Sequence, residues 1–443
     1  MNYNDIIKRG LELGLEEIEL YVKTKEGSVI KLFRGNLEES TSTNLTSMSI
    51  RGLHDGKMGY ALTESFDEEA IEFALNKVLE NAKMLTATEK EFIYDGSGDY
   101  KEIAPQLSNA EEFKTIEKVN LLKQLESNAY AKDPRIVNVG YCQYLETKSN
   151  TKIINSKGLN LDSTYSYITV ILGAVAAENG QSTMGFYGDV QFDLNKFDLN
   201  KIVDKCTDEA LAKLGAGSVT TGSYDIVLKE SVMTDILSAF SSVFSGDAAM
   251  KNLTILKDKE NTKVFGENIT IVDDPFCETA VIKIPFDDEG VPCATRKVVE
   301  NGVFTGLLHN QATADFFKTK STGHGFKPGV SAAVKVSTTN FYLAPGENTL
   351  EQLFEKAGDG LYITDVAGLH AGLNPVSGDF NVQSSGFIIK DGKKASPVTL
   401  FVMSGNFFEL LNNVIALGND IDDNFIGTAA PSVLVKGLKI SGK

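Results

Sequence analysis

The chain has 443 residues and a formal net charge of −17, from 60 Asp and Glu against 43 Lys and Arg. Hydrophobic residues make up 42% and charged residues 23%, which is typical of a globular protein and excludes a mainly disordered chain. This length predicts two or three domains. Because an acidic surface repels phosphate backbones, and no long run of Lys or Arg occurs, we expect no direct nucleic-acid partner.

The sequence carries no membrane or secretion signal. No apolar segment follows the basic pair Lys8-Arg9, and the most apolar stretch, 170–177, is too short to span a bilayer. Four widely spaced cysteines with no C-x-x-C motif indicate reduced core thiols rather than a disulfide framework or a zinc knuckle. We therefore expect a cytoplasmic protein with no membrane partner.

The first half is predicted to mix strands and helices. Ser65 with Glu68, and Ser108 with Glu111, have the spacing of capping boxes, each followed by apolar residues at helical spacing. Glycine, proline and acidic residues make 86–107 a predicted linker and a possible sub-boundary. The predicted elements are, in order, strands at 20–22, 29–33 and 48–53, a helix from Ser65 to Ala82, a helix from Ser108 to Leu125, strands at 136–145 and 165–176, and a helix from Lys201 to Leu214.

The second half is predicted to be richer in strands. The glycine-rich break at 215–222 divides the chain into an N-terminal region, 1–220, and a C-terminal domain, 221–443. After a short strand at 226–228 we expect a helix from Ser231 to Ser245, then mainly hairpins, and a last helix from Ser404 that stops at Gly418. Hairpin turns are predicted at 179–180, 301–302 and 391–392, since Asn-Gly and Asp-Gly tolerate positive φ. The sequence therefore predicts an α+β fold: a helix-bearing N-terminal α/β region followed by a strand-rich, hairpin-built C-terminal domain.

The four histidines form no recognised metal motif. They are His54, His309, His324 and His370, and neither H-E-x-x-H nor H-E-x-x-x-H occurs. A zinc hydrolase needs several ligands on one ion and a base for its bound water. The sequence also lacks a G-x-S-x-G elbow, a Walker loop and a dinucleotide fingerprint. Serine-hydrolase and nucleotide chemistry therefore have no support.

Several segments between residue 224 and the end resemble those of one peptidase family. They include 368–380, GLHAGLNPVSGDF, and 404–411, SGNFFELL, together with the shorter segments 245–248, 321–324 and 418–420. In this combination the chain resembles the PmbA (TldE) branch of the TldD/PmbA metallopeptidases, which carry the older label "modulator of DNA gyrase". The resemblance implies a two-subunit protease that processes peptides and antitoxins. Its TldD subunit carries H-E-x-x-x-H and a later cysteine that complete a zinc site.

This chain departs from the TldD pattern at the zinc ligands. Counted back from Gly246-Asp247, the two histidine positions fall on Leu237 and Ser242 and the glutamate position on Ser238. No cysteine follows Cys293. The resemblance therefore implies no catalytic residue, no metal and no cofactor in this chain, with the zinc held by a TldD-type partner in a heterodimer. A homodimer of the isolated chain is the other possible assembly.

Two glycine-flanked segments are candidates for lining a cleft that receives unfolded peptide, because glycine allows close approach of a backbone. Their candidate residues are Gly323, His324, His370, Asn374 and Asp379. Two other interpretations stay open. One is a stand-alone metallohydrolase that uses His309, His324, His370 and Asp379. The other is a regulatory binding protein that acts on gyrase or another partner.

Overall fold

A computed structural model describes residues 2–86 and 90–443. Met1 and part of the predicted sub-boundary, 87–89, lie outside the described residues. The N-terminal region alternates long strands and helices. Its elements are α1 (Tyr3–Glu12), β1 (Glu17–Phe33), β2 (Asn36–His54), β3 (Lys57–Thr63), α2 (Glu68–Met84), α3 (Thr115–Lys132), β4 (Ile136–Asn155), β5 (Asn160–Glu178), β6 (Gln181–Gln191) and α4 (Leu199–Ala212).

These six strands form one antiparallel sheet in the order β3-β2-β1-β4-β5-β6. Strand β1 pairs with β2 on one side and β4 on the other, so the segments before and after residues 86–107 share this sheet. The four helices cover one face, which buries alternate strand residues in two apolar clusters. The opposite face has no helical layer among the described residues, and there Tyr21 on β1 and Ile153 on β4 pack with Phe286 of the C-terminal domain.

The C-terminal domain contains more and shorter strands. Its elements are β7 (Gly222–Leu228), α5 (Glu230–Phe240), α6 (Gly246–Met250), β8 (Thr262–Lys263), β9 (Ile271–Asp273), β10 (Arg296–Glu300), β11 (Val303–Phe304), α7 (Gln311–Phe317), β12 (Gly325–Phe326), β13 (Lys335–Val336), β14 (Phe341–Leu343), α8 (Leu350–Ala357), β15 (Gly360–Ala367), α9 (Leu369–Gly372), β16 (Asp379–Lys390), β17 (Lys393–Asn406), α10 (Phe407–Asn412), β18 (Val414–Leu417), β19 (Thr428–Ala429) and β20 (Val433–Ser441).

Five of these strands close on themselves. The order β17-β16-β15-β7-β20 is completed by pairing of β20 with β17, and β18 adds to β20. The enclosed core includes Phe380, Phe401 and Met403, all at most 1% exposed. A second sheet, β19-β14-β9-β10-β11-β8, packs beside α5 and shares this core. The predicted α+β fold with a strand-rich C-terminal region is confirmed.

Two predicted helices in the C-terminal domain are wrong in extent. The helix predicted from Ser231 to Ser245 is α5 followed by a 3-10 turn, Ser241–Phe244. The helix predicted from Ser404 is mostly strand, because β17 continues to Asn406 and residues after Asn413 pair with β20. Only α10 is helical there, and its first turn is capped by the side chain of Asn406. Residues 407, 410, 411 and 414 mimic a long helix because the short helix and the next strand both bury them, whereas Ile415 is exposed.

Both predicted capping boxes are misplaced, although a helix follows each. Helix α2 is capped by Asp67, whose carboxylate accepts the N–H of Ala70 at 2.8 Å. Helix α3 begins at Thr115, after a 3-10 turn that contains Glu111. The hairpin turns are confirmed, for example at Asn179-Gly180, where φ is 51° and 78°. Within the described residues, no helix is long and apolar enough to cross a membrane.

Candidate functional site

Helix α5 carries the positions at which the TldD pattern places its zinc ligands. Leu237 is fully buried in the C-terminal core, together with Ile236 and Phe240. Ser238 and Ser242 are exposed one turn apart. Their carbonyl oxygens accept the hydroxyls of Ser241 and Ser245 at 2.8 Å. The three positions therefore hold a buried aliphatic side chain and two exposed hydroxyls, with no imidazole or carboxylate.

The Gly-Asp pair after this helix is held by structural contacts. Asp247 accepts the N–H of Val336 at 2.7 Å, and the N–H of Gly246 donates to Leu308 O at 2.7 Å. A Cβ at Gly246 would lie 2.5 Å from Nδ1 of His309. Glycine is therefore required here so that α6 can pack on the His309 ring.

His309 and His324 belong to one buried polar cluster. Thr322 joins them, since its hydroxyl accepts the backbone N–H of His309 at 2.7 Å and lies 2.8 Å from Nδ1 of His324. Nε2 of His324 lies 3.1 Å from Oδ1 of Asp273, as a close polar contact rather than a directed hydrogen bond. Asp273 also accepts the N–H of Thr339 at 2.9 Å. The cluster ties the loop before β12 to strand β9.

This burial removes His324 and Gly323 from contact with a peptide in this conformation. His324 is 0% exposed, and Gly323 is buried with φ 74°. A Cβ at Gly323 would lie 2.5 Å from the carbonyl oxygen of Pro292. The glycine predicted to admit a ligand therefore admits the backbone of 292–293 instead. Burial also lowers the pKa of His309 to about 4, with Arg296 and His324 acting in the same direction, so this ring is neutral at pH 7.

The other three candidate residues, His370, Asn374 and Asp379, are exposed on the loop at 368–379. The side chain of Asn374 accepts the N–H groups of Val376 and Ser377, which forms a tight turn. Asp379 accepts the side-chain amide of Asn406 at 2.9 Å and the hydroxyl of Ser377 at 2.8 Å. These hydrogen bonds lower the pKa of Asp379, which is fully ionised near neutral pH. The loop is ordered by its own contacts and presents polar groups to solvent.

The structure brings together His309 and His324 but not the four residues of the metallohydrolase interpretation. No hydrogen bond or ion pair in the described part of the chain links the cluster at 309–324 to the loop at 368–379. The described residues contain no group of three His, Cys, Asp or Glu side chains arranged to hold a metal ion. At the family's ligand positions, Leu237, Ser238 and Ser242 do not fit zinc, which binds imidazole, thiolate and carboxylate groups. The residues present therefore do not support a zinc centre on α5.

A buried charged cluster at the junction of the two regions was not predicted from the sequence. Arg51 on β2 donates to Glu19 on β1 through Nε at 2.8 Å, and both side chains are at most 3% exposed. The side-chain amide of Asn155 donates to the other oxygen of Glu19 at 3.2 Å. These residues lie on the sheet face that no helix covers, where Asn155 also donates to the carbonyl oxygen of Tyr94 at 2.9 Å.

The acidic loop 286–289 reaches this cluster from the C-terminal domain. Asp287 shapes the loop by accepting the N–H groups of Glu289, Val291 and Gly325 at 2.7–3.0 Å. Asp288 accepts the hydroxyl of Tyr21 at 2.9 Å, which ties the loop to the N-terminal sheet. The sequence feature that could have indicated this buried cluster is the run 286–290, Phe-Asp-Asp-Glu-Gly, which places three adjacent acids between apolar segments.

Glu289 and Lys327 complete the cluster, and burial perturbs the pKa of each. Burial raises the pKa of Glu289 to about 7, although the charge of Arg51 lowers it. Burial lowers the pKa of Lys327 to about 8, and Arg51 adds to this effect. The Lys327 ammonium lies 4.4 Å from the centre of the Tyr21 ring and has no hydrogen-bond partner among the described residues. The cluster therefore acts as a charged brace between the two regions.

Comparison with known proteins relates the whole chain to one family. Models of the three PmbA/TldA metallopeptidase domains match it: domain 1 at residues 18–82, the central domain at 109–214 and the C-terminal domain at 221–442. A Haemophilus influenzae relative, named as a metalloprotease PmbA homolog, is 26% identical over 96% of this chain and 92% of its own.

Two solved structures have the same architecture. A Thermotoga maritima protein, described as a candidate modulator of a DNA gyrase, is 28% identical, with a TM-score of 0.90 over 99% of this chain and 100% of its own. TldE from Thermococcus kodakarensis is 23% identical, with a TM-score of 0.91 over 99% of both chains, which shows the shared fold. Since the C-terminal model alone matches half of the residues and the other two cover most of the rest, the chain belongs to the PmbA/TldD metallopeptidase family.

Proposed function

We propose that this chain is the PmbA/TldE-like, non-catalytic subunit of a TldD/TldE-type metalloprotease complex that acts in peptide and antitoxin proteolysis and maturation. The observation that carries the proposal is the chemistry of α5. The family's ligand positions hold a core leucine, Leu237, and two exposed serines, Ser238 and Ser242. In the proposed complex a TldD-type partner supplies the zinc and the base, and the complex is cytoplasmic.

In this complex the chain would contribute a peptide-binding surface and no catalytic group. The loop 368–379 is suited to this role because its exposed Asp379 is ionised and held by Asn406 and Ser377. A fixed carboxylate and the nearby His370 and Asn374 offer polar contacts to a peptide backbone or an N-terminal amine. Gly323 and His324 are assigned a structural role instead, since their surroundings are fully packed.

The stand-alone metallohydrolase is the weaker proposal. Two of its four ligands are buried in the cluster at 309–324, and the other two lie on the exposed loop at 368–379. No surface of the described residues specifically favours the regulatory role that the gyrase label suggests, and the net charge of −17 disfavours direct contact with DNA. The subunit proposal therefore accounts for more of the structure.

Metal content and co-elution test the proposal directly. The chain would be purified alone and after co-expression with a family member that carries H-E-x-x-x-H, and zinc would be measured in each gel-filtration peak. We expect zinc only in the co-eluting complex, in proportion to the partner. Stoichiometric zinc in the isolated chain, lost in His324→Ala or His370→Ala, would contradict the proposal.

A further inference from the structure

Strand β5 has an open edge. It pairs with β4 along its length but with β6 only from Ile168 onward. On that outer side Tyr165 forms a single parallel bridge with Gln106. In the described part of the chain, residues 160–164 have no strand partner on this edge. An unpaired edge in a long sheet offers a row of backbone donors and acceptors to another strand.

The direction of these backbone groups follows from the neighbouring contacts. The N–H of Ser166 points outward, because it donates to Gln106 O at 2.8 Å. Since backbone groups alternate along a strand, the N–H and C=O of Thr164 and Asp162 point outward as well. Ser163, between these two residues, points its carbonyl oxygen the other way, toward β4. The side-chain amide of Asn150 on β4 donates to that oxygen at 3.4 Å.

A groove of about 600 Å³ runs beside this edge. Its far wall is the segment 100–106, and Lys283, Pro285 and Phe286 also line it. The backbone of 101–105 makes no hydrogen bond to other described residues. The segments 101–105 and 160–164 therefore both have unsatisfied backbone groups along this groove, and they are joined at the bridge between Gln106 and Tyr165.

Three of the four charged side chains at the groove are engaged within the chain, whereas Glu102 is exposed and makes no hydrogen bond or ion pair with the described residues. Asp162 pairs with Lys152 at 3.0 Å. The ammonium of Lys101 lies 4.3 Å from the centre of the Phe276 ring, and that of Lys283 donates to Ala280 O at 2.6 Å. Apolar groups, from Leu161, Tyr165 and Phe286, make up much of the remaining wall. The unsatisfied groups are thus mainly backbone dipoles, which an uncharged main chain complements.

We propose that this groove binds an extended, uncharged polypeptide segment, which adds a strand to the β5 edge at Asp162 and Thr164 and sets one apolar side chain against Tyr165 and Phe286. The choice of polypeptide as the ligand rests on the proposed peptidase-subunit function. Main-chain hydrogen bonds supply affinity in such complexes, and side-chain pockets supply selectivity. The site lies where the N-terminal sheet meets residues 283–286 of the C-terminal domain, and none of its lining residues belongs to α5 or to the loop at 368–379, so it would hold a peptide outside the cleft of the proposed complex.

The test measures peptide binding to the isolated full chain by fluorescence anisotropy. The probe is a short fluorescein-labelled peptide that alternates threonine and valine. Thr164→Pro removes the outward N–H without removing a bond to β4, whereas Thr164→Ala removes the side chain and keeps that N–H. We expect Thr164→Pro to weaken binding by about tenfold relative to Thr164→Ala, as the loss of about one good hydrogen bond implies.

A second measurement covers the case in which Thr164→Pro does not fold. A peptide of the same sequence, N-methylated at every residue, should lose saturable binding to the unaltered chain because it has no backbone donors. The inference is overturned if no saturable binding occurs, if the N-methylated peptide binds equally well, or if Thr164→Pro folds and binds like Thr164→Ala. It is also overturned if Thr164→Pro dissociates a homodimer and leaves peptide affinity unchanged, since the edge would then pair with a second copy.

The outcome is separable from that of the proposed function. Binding is measured without a partner or a metal, and co-elution of Thr164→Pro with the TldD-type subunit is expected to be normal. A chain that binds peptide at this edge but never joins a partner would remove the subunit proposal alone. A chain that joins the partner and fails the peptide tests would remove the groove alone.

Discussion

His324 and His370 occur in similar glycine-flanked sequence but in opposite environments. His324 has no exposed surface and contacts Thr322 and Asp273, whereas His370 is exposed on the loop at 368–379. Glycine near a histidine can allow another group to come close, as at Gly323, or can only supply a positive φ, as at Gly368, where no group lies within 4 Å of a built Cβ. The sequence cannot tell these cases apart, nor whether an approaching group is a ligand or the chain itself. The carbonyl of Pro292 fills this place at Gly323.

This contrast predicts different costs for the same substitution. His324→Ala should lower the free energy of unfolding by about 2–4 kcal/mol, because it leaves a cavity and removes the contact of Nε2 with the buried Asp273. His370→Ala should change it by less than about 0.5 kcal/mol, since an exposed side chain loses little. Urea unfolding of the two variants at pH 7 would measure this. Equal effects on stability would mean that the His324 cluster does not brace the loop before β12.

Glu289 makes the stability of the chain depend on pH. Its folded pKa of about 7 is higher than the ordinary value of about 4.3, so the folded state binds the proton more tightly. The stability that this proton contributes is fully present below about pH 4.3 and is lost as the pH rises through 7. Glu289→Gln keeps an oxygen to accept the N–H of Gln311 and cannot ionise. The free energy of unfolding of Glu289→Gln relative to that of the native chain should therefore rise by about 1–3 kcal/mol when the pH is raised from 5 to 8.

The control for this prediction is Glu355→Gln, an exposed position on α8, which should show no such trend. Chemical denaturation of the three proteins at pH 5 and pH 8 would provide the comparison. A pH trend for Glu289→Gln that matches the control would show that Glu289 is not buried in a charged cluster.

At the scale of elements, the sequence predicted strands and turns better than helix ends. The hairpins at 179–180, 301–302 and 391–392 are local, because Asn-Gly and Asp-Gly set their own backbone angles. The end of β17 is not set by local sequence. Residues 404–406 are strand rather than helix because β16 pairs with β17 as far as Asn406. The buried cluster of Glu19, Arg51 and Glu289 could not be predicted either, because its members come from two regions of the chain.

Helix α5 gives the prediction that bears on catalysis. Leu237→Ala should cost about 2–4 kcal/mol of stability, because the side chain is fully buried in the core. Ser238→Ala and Ser242→Ala remove exposed hydroxyls, so each should cost less than about 0.5 kcal/mol and leave the peptidase rate of the two-subunit complex unchanged. Thermal unfolding and peptide cleavage would test the three variants together. A large loss of rate without a loss of stability in either serine variant would place chemistry on this helix.

At the scale of the molecule, the family and the fold could be predicted from the sequence, whereas the candidate peptide-binding surfaces could not. The segments at 245–248, 321–324 and 368–380 identify the family, yet the structure gives the first two mainly packing roles. In the hairpin-rich C-terminal half, the sheet β17-β16-β15-β7-β20 closes through the pairing of β20 with β17. One open edge lies on β5, where the early end of β6 leaves residues 160–164 unpaired, and strand lengths of this kind depend on tertiary pairing.

The central claim is that this chain has no peptidase chemistry of its own and is required by a partner that has. The most direct measurement is the rate of cleavage of an unfolded peptide at a fixed concentration of a TldD-type subunit, titrated with this chain. We predict no cleavage by this chain alone and a rate that rises with its addition and saturates at one chain per partner. Full activity of the partner alone with no response to the titration, or cleavage by this chain in the absence of the partner, would contradict the account.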